Sequence, residues 1–211
     1  MGFFNTKLRI TKFKDPYIRF KLFTNFIFAI AMALVMPIAT YLKGNEFKDL
    51  IWLLPFFGFL STLSTKFVEK LVYCTTIQFI HKSITLVTFL FVFVPFIYTE
   101  NKFCAALYTS ILSIIDTLLA LTSGVFFTNY LTIKNSKLIS EYQTSRIHIY
   151  ADGALVGGVL AMIVSSYDND IIYMMYTELF VDLFVTYIFI VNYKLVKNLK
   201  PSQYKIKTNK V

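Results

Sequence analysis

Residues 171–193 read IIYMMYTELFVDLFVTYIFIVNY, an apolar run whose only charged side chains are Glu178 and Asp182. About 20 apolar residues suffice for one helical crossing of a bilayer, so this run predicts a transmembrane helix. Further apolar runs occupy residues 22–42, 50–65, 71–99, 103–133 and 147–167. The sequence therefore predicts an all-α polytopic membrane protein with six transmembrane helices.

The third run is less regular than the others, because Gln78, His81 and Lys82 interrupt it. Its membrane-spanning part is either the whole of residues 71–99, tilted in the bilayer, or mainly residues 83–99. The sequence leaves the start of this helix open.

The composition of the chain excludes a soluble globular domain. Hydrophobic residues make up 56% of the 211 residues, and the mean hydropathy is +0.61. Charged residues make up 16%, against about 25% in typical soluble domains. One small core cannot hide this much apolar surface from water, so the solvent of the chain is predicted to be lipid.

The net charge of +9 is explained by where the basic residues fall. Of the 21 Lys and Arg residues, 17 lie on one side of the six predicted spans, three lie on the other, and Lys82 lies within the third span. Acidic residues collect in the loops of the second side: Glu46, Asp49, Glu100, Asp168 and Asp170. The positive-inside rule places both termini in the cytoplasm and the protein in the cell membrane, with no nucleic-acid partner.

The chain is interpreted as a single membrane domain over residues 1–211. It comprises a basic lead-in (1–21), the membrane bundle (22–193) and a basic tail (194–211). Residues 22–42 are longer than the apolar core of a signal peptide and are predicted to stay as an anchor. Cys74 and Cys104 fall on opposite sides of the bilayer, which predicts no disulfide, metal site or cofactor.

Four acidic residues lie inside predicted spans, where an ionisable side chain costs on the order of 2.5 to 3.5 kcal/mol. They are Asp116, Asp152, Glu178 and Asp182. Glu178 and Asp182 are four residues apart and share a helix face. The functional interpretation is a polar cavity that binds protons or a cationic substrate. The alternative is structural: interhelical hydrogen bonds, or pairing with Lys82.

His148 lies four residues before Asp152, near the start of the fifth predicted span. A histidine beside a carboxylate is able to relay protons. The pair is more often an anchor at the membrane interface, and that interpretation is preferred.

Small residues at four-residue spacing mark the fifth span as a packing helix. One ridge consists of Gly153, Gly157 and Ala161, and a second of Ala154 and Gly158. The first span carries a weaker version at Ala29 and Ala33.

Several of these segments resemble the amino-terminal six-helix half of a major facilitator superfamily transporter, in its macrolide-efflux-like branch. Residues 25–37, NFIFAIAMALVMP, are similar to the family's first helix, and residues 140–161 to its link between helices four and five. Asp182 resembles an acidic position in helix six. Residues 61–70 lack the Gly and Asp of the family's cytoplasmic pattern after helix two.

The resemblance implies a half-size transporter, because such proteins hold substrate between two six-helix halves. Its partner is then a second copy of the chain or a second transporter half. The leading hypothesis is that the protein moves, or confers immunity to, a small amphipathic or cationic compound by proton exchange. The alternatives are a permease subunit of an ATP-driven transporter and a non-transporting immunity or assembly factor. No catalytic constellation is present, so an enzyme is not predicted.

Overall fold

The computed structural model describes residues 5–45, 67–167 and 171–205, and these residues form helices and no strand. The helices are α1 (Thr6–Thr11), α2 (Pro16–Asn45), α3 (67–74), α4 (Ile77–Phe91), α5 (Val94–Glu100), α6 (Lys102–Lys134), α7 (Lys137–Tyr167), α8 (Ile171–Val191) and α9 (Tyr193–Lys197), followed by a short 3₁₀ turn, Pro201–Gln203.

Side-chain caps fix several helix starts. The carboxylate of Asp15 accepts hydrogen bonds from the backbone N–H groups of Tyr17 (2.8 Å) and Ile18 (3.2 Å), and Pro16 is the first residue of α2. Thr76 accepts from the N–H of Phe79 at 3.3 Å and starts α4. These caps satisfy backbone donors that have no partner within the helix.

The long helices form a closed ring in the order α2, α7, α6, α4, α8, with α8 returning to α2. The inner end of the ring, as we call it, is the end where α2 and α7 begin and α6 and α8 finish. Much of the buried core lies toward this end, and it includes Tyr17, Phe20, Phe127, Tyr130 and Phe189.

The outer faces of the ring expose large apolar side chains. Met162 is 72% exposed and Phe180 70%. Such surface is unfavourable in water and is expected where lipid is the solvent.

Four helical segments in the described residues are long and apolar enough to cross a membrane: Pro16–Leu34, Ile77–Ile97, Phe103–Lys134 and Lys137–Val164. The described part of the chain is therefore all-helical and contains these four candidate spans. The predicted run 50–65 lies outside the described residues. Residues 171–191 form α8, which is not among the four.

Three helix starts differ from the predicted spans. The chain turns at residues 75–76, so the third run begins its long helix at Ile77 rather than at residue 71 or 83. The first and fifth helices begin at Pro16 and Lys137, earlier than residues 22 and 147. A helix continues through polar residues at the edge of the apolar region when a cap and neighbouring helices hold it.

The predicted basic lead-in and tail both pack on the ring. Tyr17 and Ile18 are buried in the core, within the range assigned to the lead-in. In the tail, Val196 and Tyr204 are buried, and the ring of Tyr204 packs edge-on against Phe126 with centroids 5.4 Å apart.

Candidate functional site

An acidic cluster lies about midway along the helices that form the ring. Asp116 on α6 and Glu178 and Asp182 on α8 are all half-buried. Asp116 precedes Ser123 by seven residues and Asp182 precedes Phe189 by seven, and Ser123 and Phe189 belong to the packed inner region. Because a helix rises about 1.5 Å per residue, both acids stand about 10 Å from that region, at a similar height.

The carboxyl group of Asp182 lies near an acidic group of another helix as well as near one of its own helix. Asp182 lies within electrostatic range of both Glu178 and Asp116. α6 and α8 make little direct contact, and α4 packs against both of them. We call the space between Asp116 on α6 and the two acids of α8 the acidic cleft.

No hydrogen bond or ion pair reaches the carboxyl group of Asp116, Glu178 or Asp182 from any described residue. The buried hydroxyl of Thr186, one turn further along α8, donates to the backbone carbonyl of Asp182 at 2.8 Å and leaves the carboxyl group untouched. Lys82, the alternative partner, is exposed, and its Nζ lies 5.3 Å from the ring centroid of Tyr193. Among the described residues, these three carboxyl groups therefore have no protein partner.

A shared metal ion is not indicated, because no group of three His, Cys, Asp or Glu side chains among the described residues is placed to hold one. The arrangement of the cleft instead suits exchangeable cations. Like charges in a low-dielectric site disfavour full ionisation, so a proton or an organic cation would relieve their repulsion.

Asp152 lies apart from the acidic cleft. Its Oδ2 accepts a hydrogen bond from the hydroxyl of Thr6 at 2.6 Å, which ties the start of α1 to α7. His148 is exposed, and among the described residues no hydrogen bond joins it to Asp152. This pair does not come together with the other three acids.

The glycines of α7 let that helix approach α2 closely. A Cβ added to Gly153 would lie 2.4 Å from the carbonyl oxygen of Phe26, and one added to Gly157 would lie 2.7 Å from that of Ile30. The Cβ of Ala29 would be 2.9 Å from the added atom at Gly153. Gly158 faces open space, whereas Ala161 is buried.

Sequence reasoning missed Asp15 as a hub of the inner end. Besides capping α2, its Oδ2 accepts hydrogen bonds from the hydroxyl of Tyr130 and the ammonium of Lys134. Burial by itself would raise the pKa of Asp15, but the bonds from Lys134, Tyr130 and the N–H of Ile18 outweigh it and lower the pKa below its ordinary value. An Asp-Pro pair before an apolar run is a capping signal that was available in the sequence.

Lys21 was counted among the charges of the lead-in, yet it lies inside the ring. Its Nζ donates to the hydroxyl of Ser123 at 2.5 Å and stands 5.9 Å from the ring centroid of Phe127. One turn further, Asn25 donates to the hydroxyl of Tyr142 at 3.0 Å. These contacts join α2 to α6 and α7.

The polar interruption of the third run is structural in the described residues. The Nε2 of His81 lies 2.8 Å from the carbonyl oxygen of Phe189. The amide of Gln78 donates to the carbonyls of Val196 and Leu199 at 3.3 Å. Both side chains bind the end of α8 or the tail to α4.

Fold and site together define a helical protein of the membrane class with three unpartnered acids among its described residues. No family model, curated protein or solved structure matches the chain. The resemblance to a transporter half accordingly stays a prediction from the sequence.

Proposed function

We propose that the protein is a transporter-like integral membrane protein that moves, or confers immunity to, a small amphipathic or cationic compound in exchange for protons. The observation that carries this proposal is the acidic cleft. Asp182 lies within electrostatic range of Glu178 and of Asp116 on another helix, and none of the three carboxyl groups has a partner among the described residues. Intramembrane acids normally serve a proton or substrate path, since their burial without function is costly.

The proposed topology has six spans, with both termini in the cytoplasm of a cell whose plasma membrane holds the protein. Its support is the charge asymmetry of the sequence, which follows the positive-inside rule. Reporter fusions at both ends test it: a reporter active only in the cytoplasm is expected at each end, and an external reporter at either end would refute the topology.

We further propose that the cleft is completed by a second copy of the chain or by a second six-helix partner. Its acids are half-buried rather than enclosed, and transporters of the fold that the sequence resembles bind substrate between two halves. Crosslinking in native membranes should capture a dimer or a complex with one other membrane chain.

Reconstitution into proteoliposomes tests the function directly. Vesicles with an imposed pH gradient are loaded with pyranine to follow protons, and ethidium serves as the cationic probe. The wild type is expected to couple ethidium movement to proton movement. Asp182→Asn is expected to move neither ethidium nor protons, since the carboxylate is lost while the shape of the side chain is kept.

The matched control is Glu100→Gln, which neutralises an exposed acid at the end of α5, outside the cleft. This variant should behave as the wild type. The proposal is wrong if wild-type vesicles match empty ones, or if Asp182→Asn retains the gradient-driven flux.

A further inference from the structure

An open pocket lined by polar and charged residues lies between α1 and the first turns of α7, on the outside of the ring and away from the acidic cleft. Its volume is about 310 Å³, at the small end of the roughly 300–1,000 Å³ typical of ligand sites. The lining residues are Arg9, Lys12, Ser140, Glu141, Thr144 and Ser145.

The walls of this cavity are held in place at both ends. Thr6 donates a hydrogen bond to Asp152 at 2.6 Å, and Lys12 forms an ion pair with Glu141 at 3.3 Å. Ile10 packs against the core from the same helix. α1 is thus fixed along α7, and the cavity between them is a feature of the fold.

The charge inside the cavity is only partly balanced. Glu141 pairs with Lys12, whereas the guanidinium of Arg9 has no acidic partner in the described residues. The buried Ser145 adds a hydroxyl whose proton is not donated to any described residue. An unpaired guanidinium beside a hydroxyl matches the oxygens of a phosphate group, which Arg binds in a bidentate manner.

The surroundings of the cavity distinguish a lipid from a soluble phosphate. Leu8 on α1 is 65% exposed and Ile147 on α7 is 67% exposed. Each of the two helices that enclose the cavity therefore presents a large apolar side chain next to polar lining residues. A free phosphate ion would leave these apolar side chains uncovered, whereas the acyl chains of a lipid would cover them. Basic pockets at the membrane surface recognise lipid head groups in this way.

We propose that this cavity binds the phosphate of an anionic phospholipid, with Arg9 as the principal contact and acyl chains against Leu8 and Ile147. The proposal does not depend on transport. A failure of the flux experiment would leave it standing, and its own failure would leave the proposed transport untouched.

The test uses the purified full-length protein in a neutral detergent, with binding of phosphatidylglycerol, phosphatidylcholine and inorganic phosphate measured separately by native mass spectrometry and thermal shift. The wild type should bind phosphatidylglycerol in preference to the other two. Arg9→Gln should weaken this binding about tenfold, as expected for one charge-assisted contact. Arg9→Lys should restore part of it.

Lys7→Gln is the matched control, because it removes one positive charge from an exposed position on the same helix, outside the cavity. It should bind phosphatidylglycerol as the wild type does. If Lys7→Gln and Arg9→Gln lost phosphatidylglycerol binding equally, the attraction would be a general effect of positive charge, and the proposal would be overturned. Equal binding of inorganic phosphate, or no preference for the anionic lipid, would overturn it as well. Should Arg9→Gln fail to fold, Arg9→Lys and Ser145→Ala provide the same comparison.

Discussion

The inner end of the bundle and the acidic cleft use polar residues in opposite ways. At the inner end, Asp15 accepts four hydrogen bonds, and Lys21 has a hydroxyl and an aromatic ring as partners. In the cleft, Asp116, Glu178 and Asp182 have no partner among the described residues. A polar group that is fully bonded stabilises a fold, whereas one without a protein partner remains available to a ligand.

The aromatic packing of the inner end strengthens this contrast. Tyr17 packs edge-on against Phe127 and Tyr130, with ring centroids 5.4 and 5.3 Å away, and Phe127 contacts Tyr142 at 4.7 Å. Such pairs contribute about 0.5–1.5 kcal/mol each beyond their buried area. The inner end is therefore held by aromatic packing as well as by hydrogen bonds, whereas the carboxyl groups of the acidic cleft have no partner among the described residues.

The largest expected effect separates function from stability at one residue. Asp182→Asn should reduce gradient-driven flux by more than tenfold while leaving the melting temperature unchanged or slightly raised, because it removes repulsion from Glu178 and Asp116. Flux and thermal unfolding are measured on the same preparation. A lower melting temperature with intact flux would show that Asp182 has a structural role. The acidic cleft would then not differ from the inner end in its use of polar residues.

The next largest effect is expected where α7 packs closely against α2. Gly153→Ala should destabilise the protein by about 1–3 kcal/mol, since the added carbon overlaps the backbone of Phe26. Gly158→Ala is the control and should change stability by less than about 1 kcal/mol, because nothing lies within 4 Å of its added carbon. Thermal unfolding in detergent compares the stability of the two variants. Equal losses of stability would show that α7 and α2 are not closely packed at Gly153.

A similar loss is expected at the hub of the inner end. Asp15→Asn should destabilise the protein by about 1–3 kcal/mol, because it removes a charged acceptor from Lys134 and Tyr130. Flux per folded molecule should stay at the wild-type level. A variant that keeps full stability would show that the inner end does not depend on this carboxylate.

The pH dependence of stability should carry the signature of Asp15. Its pKa is lower in the folded protein than the ordinary value of 3.8, so its contribution is present above that value and is lost as the pH falls through the folded value. Melting temperatures of the wild type and Asp15→Asn should therefore converge below about pH 3.8. A constant difference at all pH values would contradict the ion pair.

The smallest expected effect concerns the attachment of α1. Thr6→Val removes the hydrogen bond to Asp152 and should cost about 1 kcal/mol or less, since the contact is only partly buried. Hydrogen exchange should rise in α1 and hardly change in α2. Faster exchange throughout the ring would show instead that α1 holds the entire inner end.

Much of the fold follows from apolar run length. The run 103–133 predicts α6 to within a residue at each end, because Asn101 caps its start and the polar residues after Lys134 end it. The start of α2 was placed too late because Tyr17, Ile18 and Phe20 alternate with charged neighbours. Burial of these three depends on helices distant in sequence, and composition does not report it.

The sequence predicts which residues form the candidate site, but it does not predict how they are arranged in space. Asp116, Glu178 and Asp182 are conspicuous because intramembrane acids are rare. That Asp116 on α6 comes within electrostatic range of Asp182 on α8 is a matter of helix packing. Arg9 could be recognised only as one more basic residue, because its cavity forms when α1 lies along α7.

The burial of Tyr204 has a consequence for biogenesis. Its ring covers Phe126, and its hydroxyl donates to Gln78 at 3.3 Å, so α4 and α6 acquire this contact from nearly the last described residue of the chain. A nascent chain on the ribosome therefore inserts these helices long before their surface is covered. This contact forms only after Tyr204 has been synthesised, and until then a chaperone or a neighbouring chain has access to the same surface.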